Sequence, residues 1–155
     1  MAKLVVGVDG SPGGAKALRW AVAEARLRGV SLQLVHAWMV PLIDALPEPW
    51  AIGLPPVGPS DEEVYAHLAA AAKAVLDDSL DQARGQEPGL DVEGELVEAH
   101  AAAALIAAAG DADLLVVGSR GRGGFAGLLL GSVSAECVHH APCPVVVVPP
   151  DNAET

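Results

Sequence analysis

The segment from Leu114 to His140 constrains the possible fold more than any other part of this sequence. An apolar run, Leu114 to Val117, predicts a buried strand, and the seven residues from Gly118 to Gly124 include four glycines and two arginines. The apolar repeat that follows predicts a helix start, with members at Val133, Cys137, Val138 and Ala141. Because a helix N-terminus leaves N–H groups unpaired and glycines let a backbone approach closely, this order predicts an anion site, with phosphate as the expected ligand.

The charges near this loop support the same interpretation. Arg120 and Arg122 are the only lysine or arginine residues from Asp91 to Thr155, a segment that carries nine acidic residues. We interpret both arginines as cations that offset the charge of a bound phosphate. The alternative is that they are solvated surface residues, which are common.

Composition excludes several classes of protein. A net charge of −11, with no basic cluster outside the glycine loop, argues against nucleic acid or an anionic membrane as partner. No apolar run reaches the roughly 18 residues of a membrane span, and no basic region followed by a signal-type apolar segment opens the sequence. We therefore expect a soluble protein located in the cytoplasm.

Strands and helices alternate along the rest of the chain. The first strand covers Leu4 to Val8, and Ser11 with Pro12 predicts a helix start that Gly29 ends. The later elements are a strand at Ser31–Trp38, a helix from a Ser60–Glu63 capping box to about Arg84, a half-exposed edge strand at Leu90–Val97, a short helix at His100–Ala109 and a strand at Val145–Val148. This order predicts an α/β fold, a doubly wound five-stranded parallel sheet with helices on both faces.

We expect one domain over residues 1–150, with a tail at 151–155. Residues 39–59 contain six prolines and no helix or strand period, which predicts a long irregular loop. Open parallel sheets bind ligands at the carboxyl ends of their strands, where the winding direction reverses. Asp9 and Gly118 both occupy such ends. Asp9 either holds a ligand hydroxyl or serves only as a turn residue before Gly10.

The spacing Gly118-x2-Gly121-x9-Gly131-Ser132 resembles the ATP-binding signature of the universal stress proteins. The resemblance implies strand order 3-2-1-4-5, which places the Asp9 strand beside the Gly118 strand, and ATP, with Mg²⁺, as the ligand. It also implies that Asp9 contacts the ribose, that Val8 lines the adenine side and that the backbone of Ala37 meets adenine. The implied phosphate positions are Gly118, Gly121, Gly131, Ser132 and Val133. Arg120, Arg122 and Ser134 complete the candidate set.

We expect neither a resident metal nor a catalytic residue. Cys137, His139, His140 and Cys143 have a spacing that suggests zinc, but two core thiols fit the apolar pattern better. Ser132 has no base at an activating spacing. Two functions remain open, a nucleotide-dependent regulatory module, which we favour, and a slow Mg²⁺-dependent ATPase or nucleotide-transferring enzyme. The sequence does not identify a regulatory partner.

The last strand predicts self-association. Val145–Val148 is apolar on both faces, and it lies at the sheet edge in the implied strand order. An uncovered apolar edge is a template for pairing with another chain. We therefore expect a homodimer through this strand, as the resemblance also implies.

Overall fold

The computed structural model describes residues 2–41, 53, 58–120 and 130–151. The elements are β1 (Lys3–Gly7), α1 (Pro12–Arg28), β2 (Ser31–Trp38), α2 (Asp61–Gln86), β3 (Val92–Glu98), α3 (Ala101–Ala108), a 3-10 turn (Ala109–Asp111), β4 (Leu114–Gly118), α4 (Ser132–His140) and β5 (Val145–Val148). Gly121, Arg122 and most of the predicted proline-rich loop lie outside the described residues.

The five strands form one parallel sheet in the order β3-β2-β1-β4-β5. Side chains alternate between its two faces. Val6, Leu34 and Val116 pack with α1 and α2, whereas Val5 and Leu115 pack with α3 and α4 on the opposite face. The predicted α/β class, strand order and placement of helices on both faces are confirmed.

Local sequence signals explain where the two long helices begin. Ser11 Oγ accepts a hydrogen bond from the Gly14 amide at 3.0 Å, and the left-handed backbone of Gly29 (φ 67°) ends α1 as predicted. At the start of α2, Ser60 Oγ accepts from the Glu63 amide, and the Glu63 carboxylate accepts from the Ser60 amide. The predicted capping box is therefore present. Within the described residues, no helix is both long and apolar enough to cross a bilayer.

Two element boundaries differ from the sequence prediction by two residues, and one helix face differs. Helix α2 continues through Gly85 to Gln86, because one glycine in a last turn costs only about 1 kcal/mol. Strand β3 begins at Val92 rather than Leu90, although its mostly exposed position at the sheet edge is as predicted. In α4, Val138 is 48% exposed, and Ser134 instead occupies the buried face at 2% exposure. The Ser134 hydroxyl tolerates burial because it is hydrogen-bonded there.

Candidate functional site

The predicted site residues that the structure describes lie along one edge of the sheet, at the carboxyl ends of the strands. The register pairs Gly7 with Val35 across β1 and β2, and Val6 with Val116 across β1 and β4. Carrying both registers forward puts Asp9 level with Ala37 on one side and with Ser119 on the other. Strand β1 connects to β2 while β4 lies on its opposite side, so the winding reverses between β1 and β4. Asp9 and Gly118 are therefore neighbours at the reversal point.

Asp9 organises the turn between β1 and α1. Its Oδ1 accepts hydrogen bonds from the amide of Ser11 at 2.9 Å and from the Ser11 hydroxyl at 2.5 Å. Ser11 in turn caps α1, so the carboxylate positions the helix start. A carboxylate offers about four acceptor sites, and this turn role is thus compatible with the predicted contact to a ligand hydroxyl.

Gly13 and Gly14 make close contacts that the sequence analysis did not assign to the site. A Cβ at Gly14 would overlap the Asp9 carboxylate, and a Cβ at Gly13 would lie 2.9 Å from the backbone oxygen of Arg120. Two adjacent glycines in the first turn of a helix are a usable signal, because each costs about 1 kcal/mol relative to alanine. Such a cost indicates that a backbone or carboxylate passes close by.

Gly118, the last residue of β4, lies against the first turn of α1. A Cβ on this residue would lie 3.1 Å from the Gly13 oxygen and 3.2 Å from the Gly13 carbonyl carbon. The resemblance assigns Gly118 to the phosphates. The structure adds a second reason for glycine, since Gly13 in the first turn of α1 packs directly against Gly118.

Ser119 closes the loop between β4 and α4. Its carbonyl oxygen accepts from the Gly131 amide at 2.6 Å and from the Ser134 hydroxyl at 2.8 Å. Its amide donates to the Val148 oxygen at 2.9 Å. The two ends of the glycine-rich segment are thereby held together beside β5. Ser134 was predicted as a ligand contact. Its buried hydroxyl donates to the Ser119 carbonyl oxygen, so among the described contacts Ser134 is connected to the site through the loop.

The start of α4 offers backbone donors. Gly131 is the N-cap residue, with φ −76° and ψ 174°, and as a glycine it brings no capping side chain. Ser132, the first helical residue, is exposed, and Val133 is half-buried. The first N–H groups of a helix are unpaired within the helix and carry partial positive charge. Ser132 and Val133 therefore present donors suited to an anion.

A histidine connects the ends of β1 and β2. His36 Nδ1 lies 2.7 Å from the Val8 carbonyl oxygen. A carbonyl only accepts hydrogen bonds, so Nδ1 carries the proton. Ala37, the next residue, is half-buried. This contact gives His36 a structural role, and it holds Val8 and Ala37 at the same edge.

An aromatic contact lies next to Ala37 in the chain. The ring centroids of Trp38 and Tyr65 are 5.3 Å apart, and the Tyr65 hydroxyl donates to Glu98 Oε2 at 2.8 Å. That hydrogen bond is the main cause of the raised pKa of Tyr65. The ends of β2 and β3 are thus joined to the first turns of α2.

A cleft of about 540 Å³ lies at the opposite end of the sheet. Its lining includes Gly29, Glu87 and Asp91, at or beyond the C-terminal ends of α1 and α2. Helix C-termini carry partial negative charge, and the lining has two carboxylates against one cation, Arg26, which pairs with Glu87 at 3.2 Å. An anionic ligand is therefore better matched to the carboxyl edge than to this cleft.

Gly14→Ala should lower the free energy of unfolding by about 1–3 kcal/mol, because the new methyl group displaces the Asp9 carboxylate. The matched control is Gly85→Ala in α2, where a Cβ meets nothing within 4 Å. That variant should be about 0.5–1 kcal/mol more stable than the wild type. Urea denaturation of all three proteins measures both effects, and equal stability of the two variants would contradict the close contact.

Five parallel strands, with the first turn of α1 packed against the end of β4 at the reversal point, define a doubly wound α/β protein. Proteins of this class bind their ligands at the carboxyl ends of the strands. The model of the universal stress protein family matches residues 1–149. The chain belongs to the universal stress protein family.

Relatives and solved structures agree with this membership. A universal stress protein of Mycolicibacterium smegmatis is 38% identical over 148 residues, which cover 95% of this chain and 45% of the relative. The chain spans about half the length of the curated relatives it matches.

Two solved universal stress proteins carry a nucleotide. One, in complex with cAMP, has a TM-score of 0.65 and 30% identity, with 95% of this chain and 96% of that chain covered. The other, from Archaeoglobus fulgidus in complex with dAMP, has a TM-score of 0.66 and 25% identity, with 96% and 98% covered.

Proposed function

We propose that this chain binds ATP together with Mg²⁺ at the carboxyl edge of the sheet and acts as a nucleotide-dependent regulatory module in a stress response. The observation that carries the proposal is the close packing of Gly13, in the first turn of α1, against Gly118, at the end of β4. It coincides with an exposed helix N-terminus at Ser132. The nucleotides bound by two structural neighbours support the ligand class.

Each predicted residue has a part in this proposal. The amides of Ser132 and Val133 receive the phosphates, and Gly118, Gly121 and Gly131 let the backbone approach them. Arg120 and Arg122 offset the phosphate charge, and Asp9 holds the ribose hydroxyls. Val8 and the backbone of Ala37 line the adenine side, while Ser134 keeps the loop closed.

The proposed Mg²⁺ arrives with the nucleotide. No three metal-ligating side chains come together in the part of the chain that the structure describes. Mg²⁺ in nucleotide sites is commonly bound by substrate phosphates with one or two carboxylates and waters. In this proposal the phosphates and waters supply the Mg²⁺ ligands, and Asp9 stays with the ribose.

The proposal also includes a homodimer, a cytoplasmic location and one nucleotide-binding domain over residues 1–150. The dimer would form by pairing of β5, Val145–Val148, which lies at the edge of the sheet. Val145, Val146 and Val147 are only partly buried in the single chain. A two-fold pairing of identical edges is self-complementary and closed.

Two measurements on the purified protein test the proposed ligand. Mass spectrometry of small molecules released by denaturation should detect an adenine nucleotide, and isothermal titration should detect binding of Mg²⁺-ATP to the emptied protein. Phosphate release from the same samples separates a regulatory module from an ATPase. A protein that releases no nucleotide and gives no binding signal would contradict the proposal.

Replacing Arg120 and Arg122 together with glutamine should weaken ATP binding by about tenfold while changing adenosine binding less than twofold. The reason is that only ATP brings the phosphate charge that these cations offset. Titration of both ligands into the double variant measures the difference. Equal losses for ATP and adenosine would show that the arginines act on the fold rather than on the phosphates.

A further inference from the structure

Lys16 makes two contacts with the segment that follows β5. Its Nζ lies 2.7 Å from the Pro149 carbonyl oxygen and 2.9 Å from Asp151 Oδ1. The Lys16 side chain is 28% exposed and that of Asp151 is 65% exposed. The sequence analysis gave Lys16 no role, because its partner lies more than 130 residues away in the chain.

The ammonium group lies on the same row of the sheet as the candidate site. Val148 pairs with Gly118, so Pro149 is level with Ser119, which is itself level with Asp9. Neighbouring strands are about 4.8 Å apart, which places the Pro149 position roughly two strand spacings from Asp9. The Lys16 ammonium is therefore at the carboxyl edge, on the row of the sheet that contains Ser119 and Asp9.

The helix geometry turns Lys16 toward that loop. Residues three apart share one side of a helix, so Lys16 shares a side of α1 with Gly13. Gly13 packs against Gly118 and the Arg120 backbone. Because the lysine stem is flexible, rotamer changes alone can move the Lys16 ammonium from Asp151 toward Gly118 and the Arg120 backbone.

We propose that Lys16 is a further phosphate-binding cation of the nucleotide site and that the Asp151 carboxylate competes with the ligand phosphates for it. The proposal rests on the proposed function, because it names a contact and a control for that same site. In the free protein the Lys16 ammonium is held by the Pro149 carbonyl oxygen and the Asp151 carboxylate. With a nucleotide bound, the polyphosphate takes the place of the carboxylate.

Charge and exposure make this exchange favourable. Exposed ion pairs contribute little net stability, so the Lys16–Asp151 pair is easily broken. A triphosphate brings several negative charges where a carboxylate brings one, and lysine binds phosphates as a point charge. The hydrogen bond and charge of Lys16, with the charge of Arg19, lower the pKa of Asp151. The competing carboxylate therefore stays ionised at neutral pH.

Isothermal titration of ATP and adenosine into single and double variants tests the competition. Lys16→Gln should weaken ATP binding about threefold or more, whereas Asp151→Asn should strengthen it about twofold, because the ammonium is released. The double variant should bind ATP like Lys16→Gln, since Asp151 acts only through Lys16. Adenosine binding should stay unchanged in all three variants.

Lys3→Gln is the matched control. Lys3 is 23% exposed and pairs with exposed Asp111 at 2.8 Å, but it lies at the start of β1, at the far end of the sheet. Its replacement should leave ATP binding unchanged. A loss of ATP affinity in both Lys16→Gln and Asp151→Asn would show that the pair only holds Asp151 in place against α1. Unchanged ATP affinity in both variants would exclude Lys16 from the site. If wild-type protein binds neither ligand, the proposed function itself is wrong.

Discussion

Replacing Gly118 with alanine should weaken Mg²⁺-ATP binding at least tenfold, or about 1.4 kcal/mol. The added Cβ would lie 3.1 Å from the Gly13 oxygen, in a place where both neighbours are backbone. Because backbone cannot move aside as a side chain does, either the first turn of α1 or the end of β4 must shift. Either shift changes the distance between the phosphate-facing amides on one side and Asp9 and the start of α1 on the other. Titration of the variant with Mg²⁺-ATP measures the loss.

Gly110→Ala is the control for this substitution. A Cβ at Gly110 meets nothing within 4 Å, and the residue lies in the turn before β4. We expect its ATP affinity to equal that of the wild type. Unchanged ATP affinity in Gly118→Ala would place the ligand elsewhere, provided that both variants show wild-type circular dichroism.

Replacing Val147 with proline should convert the proposed dimer into a monomer that still binds ATP. In the β4–β5 ladder, Leu115 donates to the Pro144 oxygen and Ser119 donates to the Val148 oxygen. The alternation of a parallel ladder then directs the N–H and C=O of Val146 toward β4 and those of Val147 toward the open edge. Proline at residue 147 removes an outward donor and leaves the ladder with β4 in place.

Two other variants make the dimer experiment specific. Val147→Thr keeps the backbone donor and should remain dimeric by light scattering. Val146→Pro removes a donor that faces β4, and it should therefore lower the stability of the folded chain itself. A wild-type protein with the mass of one chain, or a dimeric Val147→Pro variant, would contradict pairing through β5.

Much of the fold follows from short-range signals in the sequence. The apolar run at Leu114–Val117 predicts a buried strand from four consecutive residues alone. The Ser60–Glu63 capping box likewise involves residues within one helical turn. The strand order came from the resemblance to a family, because no local signal states which strands are neighbours. The glycine spacing predicted a strand-to-helix junction, and the structure has that junction between β4 and α4.

The long-range contacts that assemble the site were not predicted from the sequence. Gly13 faces Gly118, Ser119 donates to Val148, and Lys16 reaches Pro149, all across long separations along the chain. Such pairings depend on strand register, which a single sequence specifies only through the whole sheet. Ser134 shows the same limit, since a polar residue on a helix predicts exposure until its partner carbonyl is known.

The most direct test of the nucleotide site is a titration of isotopically labelled protein with Mg²⁺-ATP, followed through backbone amide resonances. Our account predicts the largest shifts at Asp9, Gly118, Ser132 and Val133, along the carboxyl edge of the sheet. Amides at Gly29 and Leu90, beside the cleft at the opposite end, should not move. Absent shifts, or shifts confined to that cleft, would contradict the account.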